Sequence, residues 1–216
     1  MNSAVFKMLL VLSFIPVTVN AESSPIDASI QNALPYIQQE AQTWIDQKKC
    51  VSCHQVPFGL WSTHVAKNAG FQIDKELFET QTKWSLQFCD TNVTDKTKKR
   101  DGGGTDTTYQ IILSGVSASD ATVTTSLANL LTTFQKADGS FKPGGQLPGQ
   151  KRPLLETTHV STAWAALMFH DLALDEHQKT LDKAVKFTLG DFTGQTTEWM
   201  AVRALLEQEF GGQQES

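Results

Sequence analysis

Apolar residues recur three or four positions apart along most of the chain, which is the spacing of α-helices with one buried face. The first such stripe runs from Ile30 to Ile45, with Pro35 expected in the first turn of its helix. Lys48 and Lys49 follow this stripe, and cations are favoured at a helix C-terminus. No segment shows the strict alternation of a half-buried strand. The pattern therefore predicts an all-α protein.

Polar residues and glycines predict where the later helices begin and end. Gly70 should stop a short helix, and Asp74 and Asp120 are suitable N-cap residues for two helices that follow. Further helices are expected within Asp175–Leu189 and Thr193–Phe210. The residues expected to face inward in the later helices are Leu77, Trp84, Phe88, Val123, Leu127, Leu130, Leu131, Phe134, Val160, Ala163, Trp164, Leu167, Met168, Leu172, Trp199, Val202, Leu205 and Leu206.

Two polar stretches interrupt the helical pattern and divide the chain. Residues 91–107 contain a basic run and three consecutive glycines, and they are expected to form a flexible loop. This loop separates an N-terminal helical region at 22–90 from C-terminal helical hairpins at 108–211, which a short tail at 212–216 follows. A second loop, rich in glycine and proline, is expected from residue 138 to residue 153.

The first 21 residues have the features of a cleaved signal peptide. Lys7 precedes an apolar run at Met8–Val19 that is too short to span a bilayer as a permanent helix. Val19-Asn20-Ala21 then supplies small residues for cleavage. No later segment approaches the length of a transmembrane helix. We therefore expect an exported protein, either periplasmic or secreted.

The chain is mildly acidic. Its formal net charge is −5 at pH 7, and the loss of Lys7 with the signal peptide would make it −6. Because a nucleic-acid backbone attracts cations, nucleic acid is not expected as a partner. An acidic surface is compatible with docking to a basic redox protein, although most acidic surfaces only keep a protein soluble.

The segment Cys50-Val51-Ser52-Cys53-His54 carries the clearest chemical signal in the chain. The Cys-x-x-Cys-His pattern is typical of c-type haem attachment, in which both thiols bond to the porphyrin and the imidazole binds the iron. On one helical turn, Cys50 and His54 would lie on the same face. The pattern predicts one covalent haem c, with Cys50 and Cys53 as attachment sites and His54 as an axial ligand.

A dithiol redox centre and a structural zinc site are the alternatives for this motif. A thioredoxin-like pair follows a strand, and nothing strand-like precedes Cys50. A zinc site needs a second pair of ligands at close spacing, and the remaining cysteine, Cys89, stands alone. If haem occupies the motif, Cys89 is a spare thiol that we expect to be buried beside Phe88.

Several segments resemble squalene-cyclase-like α/α-toroid repeats. Residues 135–141 (QKADGSF) are similar to the turn of these repeats, with Phe141 in place of Trp. Residues 161–167 and 197–203 resemble the starts of their inner helices, and residues 44–61 are similar to exported bacterial proteins that join a haem c motif to such repeats. The resemblance implies helical hairpins that curl around an axis, with the haem near the N-terminal hairpin.

Two departures from the family limit what the resemblance implies. A closed toroid needs more helices than this chain provides, so the array is expected to be partial or closed by a homodimer. The acid of the cyclases is built from clustered carboxyls, whereas Asp106 and Asp120 are isolated in the sequence. Terpene cyclisation is therefore not expected.

The sixth ligand of the iron would decide between electron transfer and the binding of small ligands. Met or His in that position makes an electron-transfer centre, whereas an open position permits gas binding or peroxide chemistry. His159 and His170 lie eleven residues apart on one side of a helix, and the small residues between them could lie against a flat porphyrin. His177, in a polar segment, is expected to be exposed. The candidate ligands are His64, His159, His170, Met168 and Met200.

These features predict an exported mono-haem c-type cytochrome that passes single electrons, as a carrier or as a subunit of a complex with a redox partner protein. Trp44, Phe58 and Trp61 are expected to pack near the haem and exclude water. One alternative is a haem sensor or peroxidase with an open iron. Another is a binding module whose toroid groove takes an apolar ligand or a protein beside the basic pair Lys151-Arg152.

Overall fold

A computed structural model describes residues 24–51, 55–94, 105–115, 121–144 and 153–211. Within these ranges the protein is all-α, as the sequence predicts, with eight α-helices and no strand. A short 3-10 turn, Asp175–His177, precedes the seventh helix. The helices are α1 (Pro25–Lys48), α2 (Gln55–Asn68), α3 (Lys75–Thr94), α4 (Thr105–Leu113), α5 (Ala121–Thr132), α6 (Leu154–Leu172), α7 (Gln178–Thr188) and α8 (Thr197–Phe210).

Some sequence expectations concern residues outside these ranges. They are the signal peptide at 1–21, the Asp120 cap, the basic pair Lys151-Arg152 and the tail at 212–216. No helix in the part of the chain that is described has both the length and the apolar character needed to cross a bilayer.

Helix α1 begins earlier than the apolar stripe predicts. Ser24 accepts a hydrogen bond from the backbone N–H of Asp27, whose carboxylate accepts one from the Ser24 backbone. This reciprocal capping box starts the helix at Pro25, so Pro35 lies inside the helix and not in its first turn. The helix ends as predicted after Lys48, where Lys49 adopts a left-handed conformation with φ 51°.

The predicted signals between α2 and α3 are confirmed. Gly70 has φ 92° and closes α2, a conformation that favours glycine. Asp74 caps α3 through its Oδ1, which accepts from the N–H of Leu77 at 2.9 Å. The Gln38 amide of α1 bonds to both backbone groups of Asp74, with distances of 2.9 and 3.0 Å. The start of α3 is therefore held directly against α1.

The expected loop at 91–107 is shorter than predicted at both ends. Helix α3 continues to Thr94, and α4 begins at Thr105. Every residue of α4 is buried, including the polar segment 105–108. Sequence polarity alone suggested an exposed segment, but Asp106 and Thr108 have hydrogen-bond partners inside the protein, as described below.

A tight turn occupies the segment that resembles the toroid repeats. The Asp138 carboxylate accepts hydrogen bonds from the Ser140 N–H and hydroxyl at 2.9 and 2.8 Å. Gly139 has φ 91°, and a side chain there would meet the backbone oxygen of Lys183 at 2.4 Å. The Gln135 amide also donates to the Thr180 carbonyl at 2.8 Å, which fixes the turn against α7.

The core centres on α6, whose residues 156–169 are all buried. This helix contacts α4, α7 and α8, while α4 also contacts α2 and α3. The buried apolar side chains form one cluster that runs from Ile45 to Phe210. The regions at 22–90 and 108–211 therefore share a single hydrophobic core, and the toroid arrangement stays a prediction.

Candidate functional site

The Cys-x-x-Cys-His segment lies in the short connection between α1 and α2. Cys50 is half-buried and makes no disulfide with a described residue, and Val51 is 3% exposed and belongs to the core. Neither residue is helical, so the predicted helical turn through the motif is wrong at its first two positions. Cys53 and His54 lie outside the described residues. Because α2 begins at Gln55, the motif is tethered to the protein on both sides.

An open groove adjoins the end of the motif. Its volume is about 520 Å³, within the range typical of cofactor sites. Gln55, directly after the motif, forms part of its wall, and the exposed Tyr36 ring stands on the facing helix α1. The described residues that line it are Tyr36, Ile37, Glu40, Gln55, Phe58, Gly59, Trp61 and Ser62. We call this surface the aromatic groove.

Helices α1 and α2 can approach closely beneath the groove because α2 carries a glycine there. A Cβ atom on Gly59 would lie 3.5 Å from the Cβ of Ala41 and 3.7 Å from Cγ2 of Ile37. These are ordinary packing distances, so a methyl group would just fit, but any larger side chain would separate the helices or fill the groove.

Aromatic rings connect the groove to the centre of the protein. The ring centroids of Phe58 and Trp61 lie 5.6 and 5.5 Å from that of Trp164 on α6, and the Trp61–Trp164 pair is edge-to-face. The Trp164 Nε1 donates to Glu198 of α8 at 3.2 Å. Trp44 packs against the same core, and its buried Nε1 has no hydrogen-bond partner among the described residues.

His64 faces away from the aromatic groove. Its ring stacks on Phe78 with centroids 6.5 Å apart, and its Nε2 is hydrogen bonded to the Asn68 amide at 2.9 Å. The imidazole lies directly against Gly115, so that a Cβ atom at this position would collide with the ring. Burial lowers the pKa of His64, opposed by the nearby charge of Asp171.

His159 is enclosed between two phenylalanine rings. Its ring centroid lies 4.4 Å from that of Phe187 and 4.2 Å from that of Phe192, and both pairs are stacked. The side chain is 6% exposed, and its Nδ1 has no partner within the described ranges. Burial, and secondarily the charge of Arg203, lowers the pKa of this imidazole.

The other three candidate ligands are dispersed. His170 is exposed at the end of α6, edge-on to Phe210 at 4.8 Å. Met168 is fully buried in the core, and Met200 is 55% exposed on α8. None of the five candidate ligands lines the aromatic groove.

The predicted small-residue surface for a porphyrin on α6 is wrong. Ala163 and Ala166 are 3% and 0% exposed, because α6 is covered by neighbouring helices on every side. His177 is also buried, contrary to expectation, at 2% exposure. Its Nε2 is hydrogen bonded to Asn129 at 2.8 Å, and its ring packs on Phe169.

The prediction for Cys89 is confirmed, since the thiol is 3% exposed. Burial raises its pKa to about 12, although a hydrogen bond with Thr108 opposes this shift. Within the described ranges, no group of three or more His, Cys, Asp or Glu side chains is arranged to hold a metal ion.

Buried carboxyls near the start of α6 are a feature that sequence reasoning missed. Asp106 of α4 accepts hydrogen bonds from the Ser161 hydroxyl and from the Gly144 N–H, the latter at 2.6 Å. Burial raises the Asp106 pKa to about 7, and the charge of Glu198 adds to the shift. Glu156 accepts from two backbone N–H groups at 195 and 196, at 3.1 and 2.8 Å.

Through these hydrogen bonds, the two carboxyls link segments that are distant in sequence. Asp106 joins α4, α6 and residue 144, while Glu156 holds the segment before α8. Among the described residues, Asp106, Ser161 and Glu156 do not line the aromatic groove. The only sequence signal was the run of short polar residues at 105–108 directly before the mostly apolar segment 109–113.

Comparisons of the chain with family models, with curated proteins and with solved structures give no match. The functional argument therefore rests on the residues of this chain.

Proposed function

We propose that this chain is an exported mono-haem c-type protein that passes single electrons, as a carrier or as a subunit of a redox complex. The observation that carries the proposal is the Cys-x-x-Cys-His segment at Cys50–His54, which the groove residue Gln55 follows directly in the sequence. The groove offers an open, largely apolar surface with three aromatic side chains, Tyr36, Phe58 and Trp61.

The residues around the motif fit a covalent haem. Cys50 and Cys53 would form the two thioether bonds, and His54 would bind the iron. Trp44, six residues before Cys50, packs against the core, and its buried indole N–H has no partner in the described ranges. A bound haem would supply a one-electron iron couple.

Phe58 and Trp61 would exclude water from one side of the site. An apolar surrounding disfavours the more highly charged oxidised iron, so these rings would raise the reduction potential. They also contact Trp164, which anchors them to the core and fixes their positions. The groove is open, so a partner protein could approach it closely.

The open-iron alternative is supported by the positions of the candidate ligands. His64 is turned towards Phe78 and Asn68, and His159 is stacked between two rings inside the protein. Met168 lies in the core. The sixth coordination position of the iron would then be vacant, or it would be filled by water or by a partner. Such an iron would suit a haem sensor or a peroxidase.

A visible spectrum of the protein, produced with haem-maturation machinery, separates these functions. A low-spin spectrum that carbon monoxide does not change indicates a firm sixth ligand and supports electron transfer. A high-spin spectrum that shifts with carbon monoxide supports the open-iron function. If no haem remains on the chain after denaturation, the proposal is wrong, and zinc or dithiol chemistry at Cys50 and Cys53 becomes the next hypothesis.

A further inference from the structure

Helix α1 presents a second row of apolar side chains besides the row that packs inside the protein. The inner row lies against α2 and α3, and its buried members are Leu34, Gln38, Ala41 and Ile45. The second row points away from the inner one and consists of Ile26, Ile30, Ala33 and Ile37. We call it the outer row.

Most of the outer row is open to solvent. Ile26 is 70% exposed and Ile30 is 38% exposed. Ala33 is also exposed, and Ile37 is half-buried beside Gly59 of α2. Single exposed apolar side chains are ordinary on a protein surface, whereas a continuous row of them indicates an interaction site.

The spacing within the outer row is that of a helix pair. Its members follow one another at four, three and four residues, as the a and d positions of a coiled coil do. Such positions line up along one side of a helix and pack against a second helix. Because α1 packs within the described part of the chain through its inner row, its outer row is suited to a helix from another molecule.

The surface around the outer row carries no formal charge. Between Asp27 and Glu40, α1 contains only apolar and neutral polar residues. The whole chain has a formal net charge of −5, so two copies repel each other unless they meet through a neutral surface. The uncharged face of α1 therefore suits contact with a second copy of the same chain.

Two other occupants fit this face less well. A helix that lies on a membrane commonly carries Lys or Arg on its polar face, and α1 has no cation before Lys48. A transient partner protein is commonly guided by complementary charges, which residues 28–39 lack. An apolar centre that is depleted of charge is instead typical of homodimers.

We propose that the outer row binds the outer row of a second copy of this chain, with the two α1 helices antiparallel about a two-fold axis. An axis that crosses α1 midway between Ile30 and Ala33 places Ile30 opposite the partner's Ala33. The same axis places Ile26 opposite the partner's Ile37, because each pair lies equally far on either side of the axis. Every member of the row then meets an apolar side chain, and both subunits use the same patch.

The proposal is independent of the haem proposal. Ile26, Ile30 and Ala33 do not line the aromatic groove, and neither motif cysteine takes part in the contact. Loss of covalent haem in a cysteine variant would therefore leave the dimer unaffected.

Sedimentation velocity of the exported protein over a range of concentrations tests the proposal. We expect a reversible equilibrium between monomer and dimer, with the dimer prevailing at about 100 μM, because a single helix pair buries less area than a standard interface. A monomer at every concentration would overturn the proposal. Assemblies that keep growing with concentration would also overturn it, since a two-fold contact stops at two copies.

A substitution in the outer row tests which surface forms the dimer. Ile30→Glu should weaken dimer formation at least about tenfold, because it buries a carboxylate against an apolar side chain. The matched control is Leu154→Glu on α6, where the side chain is 70% exposed, and this variant should dimerise as the wild type does. Circular dichroism should show the same helix content in both variants. A dimer that persists in Ile30→Glu, or that is lost equally in both variants, would overturn the assignment to α1.

A mixture of two variants tests the antiparallel pairing. Ala33→Lys should prevent dimer formation when it is alone, because its ammonium would face Ile30 of the partner subunit. Mixed with Ile30→Glu, it should form a heterodimer, since the introduced ammonium then faces the introduced carboxylate. Added salt should weaken this heterodimer. A mixture of Ile30→Glu with Ala33→Glu is the control and should stay monomeric. Failure of the first mixture to pair, or pairing in the control, would overturn the antiparallel arrangement.

Discussion

The α1–α2 end of the molecule and its α4–α6 centre differ in how far their polar and reactive side chains are buried. At the α1–α2 end, Cys50 is half-buried in the connection between the two helices, and Tyr36, which lines the open groove, is 68% exposed. At the centre, Asp106, Glu156 and Ser161 are buried and hydrogen bonded. The contrast teaches that the buried polar groups hold helices together, whereas the packing of α1 on α2 leaves an open groove and a half-buried thiol.

Replacing the motif cysteines should give the largest effect, a loss of covalent haem, and it tests the α1–α2 end of the molecule. Cys50→Ser combined with Cys53→Ser should reduce covalent haem from one per chain to none, because serine cannot form a thioether. The helical circular dichroism should persist, since the core does not depend on the motif thiols. Haem that stays on the chain in denaturing electrophoresis measures the outcome.

Cys89→Ala is the matched control for the cysteine pair. It removes a buried thiol of the core and should retain covalent haem, although some stability is lost with the packing. Retention of haem by the double variant, or its loss in the control, would contradict the contrast between the two regions.

Two glycine-to-alanine substitutions should give the next largest effect, and they test how tightly the protein packs around each glycine. Gly115→Ala should destabilise the protein by about 2–4 kcal/mol, because a side chain at φ 82° is strained and would collide with His64. Gly70→Ala carries similar strain at φ 92° but meets nothing within 4 Å, so about 1 kcal/mol is expected. Urea unfolding measures both, and equal losses would show that His64 can move away.

The buried Asp106 carboxyl should give a smaller, pH-dependent effect. Its pKa is about 7 in the folded protein and 3.8 as the ordinary value, so between about pH 4 and 7 the folded state holds a proton that the unfolded state has lost. Asp106 therefore makes stability fall as pH rises through this window, and the loss is complete above it.

Asp106→Asn removes this titration. The difference in urea midpoint between wild type and variant should change between about pH 5 and about pH 8 by an amount equivalent to at least about 1 kcal/mol, with the wild type relatively more stable at the lower pH. Asp46→Asn, at an exposed position on α1, is the control for the loss of one carboxylate. An identical pH dependence in wild type and Asp106→Asn would mean that Asp106 stays ionised.

Local signals in the sequence predicted the helices and several of their ends. Gly70, Asp74 and Lys48 act through the backbone of their own helix, so their effect can be recognised without knowledge of the fold. Pro35 misled because the capping box at Ser24 begins α1 ten residues before it. Ser24 is polar and lies before the apolar stripe begins. The stripe therefore predicts a start of the helix that is too late in the sequence.

The arrangement around α4 and α6 could not be predicted, because it depends on partners that are far away in sequence. Asp106 bonds to Ser161, and His177 bonds to Asn129, across 55 and 48 residues. A short polar segment looks like a loop until such partners are known. For the same reason, the regular spacing of His159 and His170 did not reveal that α6 is covered on every side.

The two described cysteines give the protein separate chemical reporters. Cys89 is buried with a pKa of about 12, so a thiol reagent should reach it only when the core opens. Cys50 is half-exposed in the connection after α1, so it should react in the folded chain unless a thioether already occupies its sulfur. Labelling at Cys50 would then record cofactor attachment, and labelling at Cys89 would record unfolding, in one mass spectrum of the same sample.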